Sequence, residues 1–165
     1  MEVIVLQIKE ISQDKEQYVI FYLADKKFGV NITQTKEILS NAEMTFVPDS
    51  PDFISGIINL RGSVVPVVDL KLRLKIRGEK KDREEKIIIV ELDELTAGMM
   101  VDDVKEIEPL TKENIVNLPD LARKVDSDYI EGVGRAGEDD ELLLLLDLKN
   151  VLSNHEVEEL KNVEG

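Results

Sequence analysis

Few side chains in this 165-residue chain could carry catalytic chemistry. It contains no cysteine and a single histidine, His155, so thiolate metal sites, cysteine nucleophiles and multi-histidine metal sites are excluded. A Ser/His/Asp triad needs an imidazole presented by a rigid scaffold, and His155 lies close to the end of the chain. We therefore expect no metal, no cofactor and none of the common hydrolytic mechanisms.

One pair of carboxylates leaves a catalytic alternative open. Asp69 and Asp147 occupy matching places in two similar tripeptides, Asp69-Leu70-Lys71 and Asp147-Leu148-Lys149. Two carboxyls within ~3 Å of each other can share a proton, as in acid-type hydrolases. Aspartic proteases carry Asp-Thr/Ser-Gly instead, and an aspartate at a strand end readily accepts backbone N–H groups. We expect this structural role and keep the hydrolase as the alternative.

The formal charge of −14 is unevenly distributed along the chain. Residues 1–78 are neutral overall, so the whole imbalance lies in residues 79–165. An acidic surface repels phosphates, so we expect no nucleic-acid partner. The longest apolar run, Leu142 to Leu146, is far shorter than the ~20 residues that span a bilayer. The sequence thus predicts a cytoplasmic protein without direct membrane insertion.

An internal repeat organises the chain. Lys36-Glu37-Ile38 recurs as Lys105-Glu106-Ile107, Phe53-Ile54-x-Gly56 as Tyr129-Ile130-x-Gly132, and the two Asp-Leu-Lys tripeptides follow in the same order. We predict an N-terminal arm (1–17), a first subdomain (18–78), a charged connector (79–86), a second subdomain (87–152) and a C-terminal helix or tail (153–165). The arm is predicted to be poorly ordered or to add an edge strand.

Each copy consists mainly of short segments that are rich in β-branched and aromatic residues, with turn residues between them. The predicted strands are Val19–Leu23, Phe28–Ile32, Ile54–Leu60 and Val64–Leu70 in the first copy, and Ile87–Leu92, Ala97–Val101, Ile130–Gly134 and Leu142–Leu148 in the second. This spacing favours barrels or sandwiches. Helical signals occur at Thr33–Leu39 and at Ser153-Asn154-His155-Glu156, which has the form of a capping box. The fold class is therefore all-β with short helices.

The densest motif is Asn59-Leu60-Arg61-Gly62 followed by Val64-Val65-Pro66-Val67-Val68-Asp69. At the tip of a hairpin Arg61 is displayed outward, and Gly62 supplies a positive φ angle. The second copy has Arg135-Ala136-Gly137-Glu138 there, so the fold alone does not demand Arg61. Pro66 cannot donate to a strand ladder, which predicts an exposed edge beside it.

These segments closely resemble the CheW family of bacterial chemotaxis coupling proteins over about residues 18–155. The resemblance implies two five-stranded SH3-like β-barrels around a shared core, forming one domain in which strand exchange between the barrels is left open. It also implies a non-catalytic adaptor that couples the cytoplasmic tip of methyl-accepting chemoreceptors to the regulatory domain of the histidine kinase CheA. Such a protein is expected to be a monomer alone and part of large receptor arrays.

The resemblance also assigns residues to interfaces. Positions associated with receptor or kinase contact are Thr35, Glu37, Ile38, Arg61, Gly62 and Ile107. The loop from Val116 to Leu121 lies where the family makes a second kinase contact, with Val116 and Leu121 as its anchors. A regulatory domain of another signalling system, with a different partner, is a third hypothesis.

Overall fold

The computed structural model describes residues 2–4, 15–78, 84–116, 129–137 and 139–164. Within these ranges the strands are β1 (Glu2–Val3), β2 (Lys15–Leu23), β3 (Lys26–Asn31), β4 (Glu37–Ser40), β5 (Ile54–Leu60), β6 (Ser63–Asp69), β7 (Lys86–Leu92), β8 (Leu95–Val101), β9 (Asp103–Thr111), β10 (Ile115–Val116), β11 (Ile130–Ala136) and β12 (Glu141–Leu146). The helices are α1 (Leu70–Arg73) and α2 (Asn154–Glu164), with 3₁₀ turns at Ile32–Gln34, Lys112–Asn114 and Leu148–Asn150.

The strands form two six-stranded sheets in the described part of the chain. The first sheet has the order β1-β4-β7-β8-β6-β5, and the second has the order β10-β11-β12-β3-β2-β9. The hairpin β2–β3 comes from the first repeat but lies in the second sheet, and β7–β8 makes the reverse exchange. Each sheet is therefore assembled from both halves of the chain.

Parallel pairing joins each exchanged hairpin to its new sheet. Leu144 and Leu146 of β12 lie opposite Phe28 and Val30 of β3. Val67 to Asp69 of β6 lie opposite Gly98 to Met100 of β8 in the same way. The two junctions are equivalent in the two repeats, so one local sequence pattern specifies both.

Both faces of the exchanged hairpins are buried. In β2, Val19, Phe21 and Leu23 belong to the main core, which contains residues of both sheets. The alternate residues Tyr18 and Ile20 belong to a smaller cluster inside the second sheet. Side chains along a strand point to opposite faces, so a strand that is buried on both faces needs a continuous apolar run.

The first sheet repeats this arrangement with β7. Ile88 and Val90 belong to the main core, whereas Ile87 and Ile89 pack inside the first sheet with residues of β5 and β6. The described residues therefore form one shared core and two smaller ones, each of which lies within one sheet. The predicted all-β fold with short helices and a C-terminal helix is confirmed. The two predicted five-stranded barrels take the form of two curled sheets, and β1 and β10 bring each sheet to six strands.

The duplication extends to individual hydrogen bonds. The Asp69 N–H donates to the Phe53 carbonyl at 2.8 Å, and the Asp147 N–H donates to the Tyr129 carbonyl at 2.7 Å. Pairing of β5 with β6 shifts at a bulge between Ile54 and Gly56. Pairing of β11 with β12 shifts at the equivalent place in the second repeat. Related sequences thus fold in the same way down to the bulge.

Two local predictions have different outcomes. The C-terminal capping box is confirmed, because Ser153 N–H donates to Glu156 Oε1 at 2.9 Å and Glu156 N–H donates to Ser153 Oγ at 3.2 Å. The predicted helix at Thr33–Leu39 is wrong, since only a 3₁₀ turn forms before β4. Pairing of β4 with β7 outweighs the local helical signal.

We predict that Gly56→Ala and Gly132→Ala both destabilise the protein by roughly 1–3 kcal/mol, because neither bulge has room for a methyl group. A Cβ at Gly56 would lie 2.6 Å from the Thr45 carbonyl oxygen, and one at Gly132 would lie 2.9 Å from that of Val116. Urea unfolding of the purified variants measures the effect. Ser55→Ala, in the same bulge, is the control, and equal midpoints for all three variants would contradict the prediction.

Candidate interaction site

A tight turn between β5 and β6 displays Arg61. Leu60 and Ser63 are cross-strand partners, so only Arg61 and Gly62 form the loop. Both have positive φ, 49° and 91°, as a two-residue turn matched to the twist of its strands requires. The Asn59 side chain stabilises the turn, because its Oδ1 accepts a hydrogen bond from Gly62 N–H at 2.8 Å.

The arginine at this turn forms an ion pair with β4. Arg61 Nη2 lies 2.5 Å from Glu37 Oε1, and the Arg61 side chain is 66% exposed whereas that of Glu37 is 15% exposed. The structure thus brings together two predicted site residues that lie far apart in the sequence. A guanidinium group has five N–H donors in a rigid fork. The pair therefore orients Arg61 and leaves much of its side chain accessible to a partner.

Glu37 is held in place by the strand that carries it. Lys36 N–H donates to the Ile89 carbonyl at 2.8 Å, and Glu37 to Ser40 pair with β7. Ile38, the next residue, is only 5% exposed and belongs to the main core. Thr35, also predicted at the site, is half-buried, and its N–H donates to the Ile32 carbonyl at 3.0 Å.

The remaining predicted site residues lie elsewhere. Ile107 on β9 is 5% exposed and packs in the main core, in the place equivalent to that of Ile38. Val116 on β10 is 48% exposed. Leu121 falls outside the described residues. Ile38 and Ile107 are thus buried, whereas Arg61, Gly62 and Val116 are exposed.

Pro66 marks the place where the pairing of β6 changes. On one side Pro66 lies opposite Ile57 of β5. On the other side parallel pairing with β8 begins only at Val67. β6 is not an edge strand over its full length, so the predicted exposed edge is confined to the segment before Val67. That segment contains Ser63 and the 41% exposed Val64.

Sequence reasoning missed an exposed apolar segment after β4. Phe46 is 76% exposed and Met44 is 39% exposed. Met44 also lines a groove of about 360 Å³ with Leu39, Ile87 and Met100. The available signal was an aromatic residue, Phe46, beside Val47 in the connection from β4 to β5, outside the alternating pattern of any predicted strand.

Comparison with known proteins decides the family. A family model described as a CheW-like domain matches residues 17–156. The chemotaxis protein CheW of Klebsiella aerogenes is 32% identical over 148 residues, which cover 90% of this chain and 88% of that protein. This chain belongs to the CheW-like family.

Two further relatives agree with this membership. The chemotaxis protein CheW of Bacillus subtilis is 30% identical over 137 residues, covering 83% of this chain and 86% of that protein. The crystal structure of the scaffolding protein TtCheW from Thermoanaerobacter tengcongensis has a TM-score of 0.72 and 34% identity, covering 82% of this chain and 91% of that one. This CheW-like chain is therefore a chemotaxis scaffold protein.

The two repeat-related aspartates of this CheW-like domain have capping roles. Asp69 Oδ1 accepts from Leu72 N–H at 3.0 Å at the start of α1. Asp147 Oδ1 accepts from Lys149 N–H at 3.1 Å, and its Oδ2 accepts from Asn150 Nδ2 at 2.6 Å. These hydrogen bonds fix both carboxylates to neighbouring backbone and side-chain donors, which is the structural role expected from the sequence.

Carboxylates in the second sheet gather around a buried tyrosine. The Tyr18 hydroxyl lies 3.2 Å from Glu131 Oε1 and 3.5 Å from Glu16 Oε2, and Asn31 Nδ2 donates to Glu16 Oε2 at 2.7 Å. Burial raises the pKa of Tyr18, and the two glutamates raise it further. Partial desolvation of its carboxyl likewise raises the pKa of Glu131; the hydrogen bond with Tyr18 lowers it by less, and the charge of Asp147 adds a smaller rise.

No described residues form a metal-binding group of three or more His, Cys, Asp or Glu side chains. The helices in the described ranges are too short or too polar to cross a membrane.

We predict that Glu131→Gln stabilises the protein at neutral pH by about 0.5 kcal/mol or less, since the site is partly solvated. A raised pKa in the folded state means that Glu131 stabilises the fold more when it is protonated than when it is ionised. The contribution of protonated Glu131 to the free energy of unfolding is lost as the pH rises from 4.5, the ordinary pKa of a glutamate, through the raised pKa. The stability advantage of the glutamine variant therefore grows over that window, as measured by urea unfolding at a series of pH values.

Glu113→Gln is the matched control, because it removes the same charge from another exposed residue that lies outside the cluster. A pH-independent difference between Glu131→Gln and wild type would contradict the assignment.

Proposed function

We propose that this chain is a non-catalytic cytoplasmic adaptor that couples the cytoplasmic tip of methyl-accepting chemoreceptors to the regulatory domain of the histidine kinase CheA. It would be recruited to membrane receptor arrays through these contacts. The observation that carries the proposal is the exposed Arg61 turn, locked to Glu37, within a CheW-like domain that spans most of the chain.

The Arg61–Glu37 pair has the properties of a recognition element. A surface ion pair contributes little to stability, typically about 0.2–1 kcal/mol. Arg61 occupies a left-handed backbone conformation that favours glycine or asparagine, and the second repeat manages without an arginine at this place. Stability alone does not account for the residue, so contact with a partner is the better explanation.

Exposed apolar residues supply further contact surface. Val64 near the β5–β6 turn is 41% exposed, and its repeat counterpart Leu142 at the start of β12 is 63% exposed. Val116, at the end of the second sheet, is 48% exposed. We assign the second kinase contact to Val116 and to Leu121. Interfaces commonly place such apolar anchors beside charged residues that set orientation.

The two halves of the chain suit different partners. The first half, with the Arg61 turn, is neutral, whereas the second half carries the entire charge of −14. Charge complementarity mainly controls specificity and association rate. Two separate, individually weak contacts become strong when many copies are held together in an array. An adaptor of this kind needs no catalytic group.

We predict that Arg61→Ala and Glu37→Ala each weaken binding to the receptor tip or to CheA about tenfold, or roughly 1.4 kcal/mol. The unfolding free energy should change by less than about 1 kcal/mol. Binding is measured by calorimetry with the isolated kinase regulatory domain and with receptor fragments. A pull-down from a chemotactic cell extract then identifies the bound partner, and recovery of neither partner would contradict the proposed coupling.

Lys36→Ala is the matched control, because Lys36 also makes an exposed ion pair, with Glu91 at 2.7 Å, beside the same strand. The exchanged variant Glu37→Arg/Arg61→Glu separates two roles of the pair. It restores the ion pair with reversed charges, so restored binding shows that the pair only holds the turn. Continued loss of binding shows that Arg61 contacts the partner directly.

A further inference from the structure

Residues 2–4 cover the outer edge of β4. Glu2 lies opposite Ser40 and Val3 lies opposite Leu39 in antiparallel register. Ile4 N–H donates to the Ile38 carbonyl at 2.8 Å. Glu2 Oε2 also lies 3.5 Å from Ser40 Oγ, which donates to it. The chain's own N-terminal residues thus form the edge strand of the first sheet.

The second repeat protects the equivalent edge in another way. The alignment of Lys36-Glu37-Ile38 with Lys105-Glu106-Ile107 places Leu39 on Glu108 and Ser40 on Pro109. Proline lacks an N–H donor, and a charged residue discourages pairing, so both block strand addition. In the described part of the chain, no strand pairs with the outer edge of β9.

The edge of β4 lacks such protection. Ser40 retains the backbone N–H donor that Pro109 lacks, and β1 covers this position together with Leu39. β1 has only two residues, and Val3 is 49% exposed. A strand this short buries little apolar surface, so it is held weakly. Release of β1 leaves an unprotected edge that accepts an extended segment.

We propose that the β4 edge is a strand-addition site through which two copies of this chain associate by exchanging residues 2–4. The structure shows a segment that fits this edge, and a second copy carries the identical segment. Every contact made by Glu2, Val3 and Ile4 within one chain can be made between two chains. This association does not depend on the proposed receptor or kinase partners.

Concentration decides between the two arrangements. A tethered segment sees its own site at an effective concentration of about a millimolar, so one chain binds its own segment in dilute solution. Exchange becomes significant where copies are crowded, and it is detectable in dilute solution when each exchange event is trapped covalently. The expected state is a monomer at low concentration and an exchanged dimer at high concentration.

Disulfide trapping tests the exchange directly, because the chain has no native cysteine. Chains carrying Glu2→Cys are mixed with chains carrying Ser40→Cys, which changes only an oxygen to a sulfur, and the mixture is oxidised mildly. We expect a disulfide heterodimer whose yield rises with concentration and exceeds several-fold that from mixing Glu2→Cys with Glu94→Cys in an exposed turn. Equal yields in the two mixtures overturn the proposal.

Sedimentation velocity supplies an independent measurement. Ser40→Pro places a proline where the second repeat has Pro109. The two positions are equivalent, because Ser40 lies opposite Lys86 of β7 and Pro109 lies opposite Gln17 of β2. We expect wild type to dimerise at high concentration, and we expect Ser40→Pro and the internally cross-linked Glu2→Cys/Ser40→Cys chain to stay monomeric. A dimer that persists in the cross-linked chain overturns exchange at β4, as does a wild-type chain that stays monomeric at every concentration.

Discussion

Burial of both faces of two exchanged hairpins is the constraint on which this structure depends. In β2, Phe21 points into the shared core while Ile20 points into the second sheet, and in β7 Ile88 and Ile87 divide in the same way. A shift of one residue would exchange the two sets of side chains. The shared core and the smaller core of that sheet would then both be mispacked. Packing on both faces therefore fixes the register of each hairpin.

This double burial makes the two sheets a single folding unit. Neither repeat can complete its sheet without a hairpin from the other, because β12 pairs with β3 and β6 pairs with β8. The arrangement provides a rigid frame for the loops at its surface. Glu37 is fixed through the pairing of β4 with β7, and Arg61 reaches it from a turn that the β5–β6 ladder holds.

Much of this frame is encoded locally and could be predicted. Alternating and continuous apolar runs identified the central strands, and the repeat showed that one pattern is used twice. The 3₁₀ turn and strand at Ile32–Ser40 could not be predicted, because long-range pairing with Ile87 to Ile89 decides its conformation. The ion pair between Arg61 and Glu37 was equally hidden, since only the closed first sheet brings the two side chains together.

Comparison of the two turns separates what folding requires from what function requires. Arg61 has a φ of 49°, and a non-glycine residue held in a sparsely populated backbone region costs of order 1 kcal/mol or more. The exposed ion pair of Arg61 with Glu37 stabilises the fold by a similar or smaller free energy. The equivalent hairpin, in which Ala136 pairs with Glu141, has a longer loop that begins with Gly137 instead of an arginine, and it supports the same kind of bulge and the same strand pairing. A hairpin at this place therefore folds without an arginine, which supports the proposed contact of Arg61 with a partner.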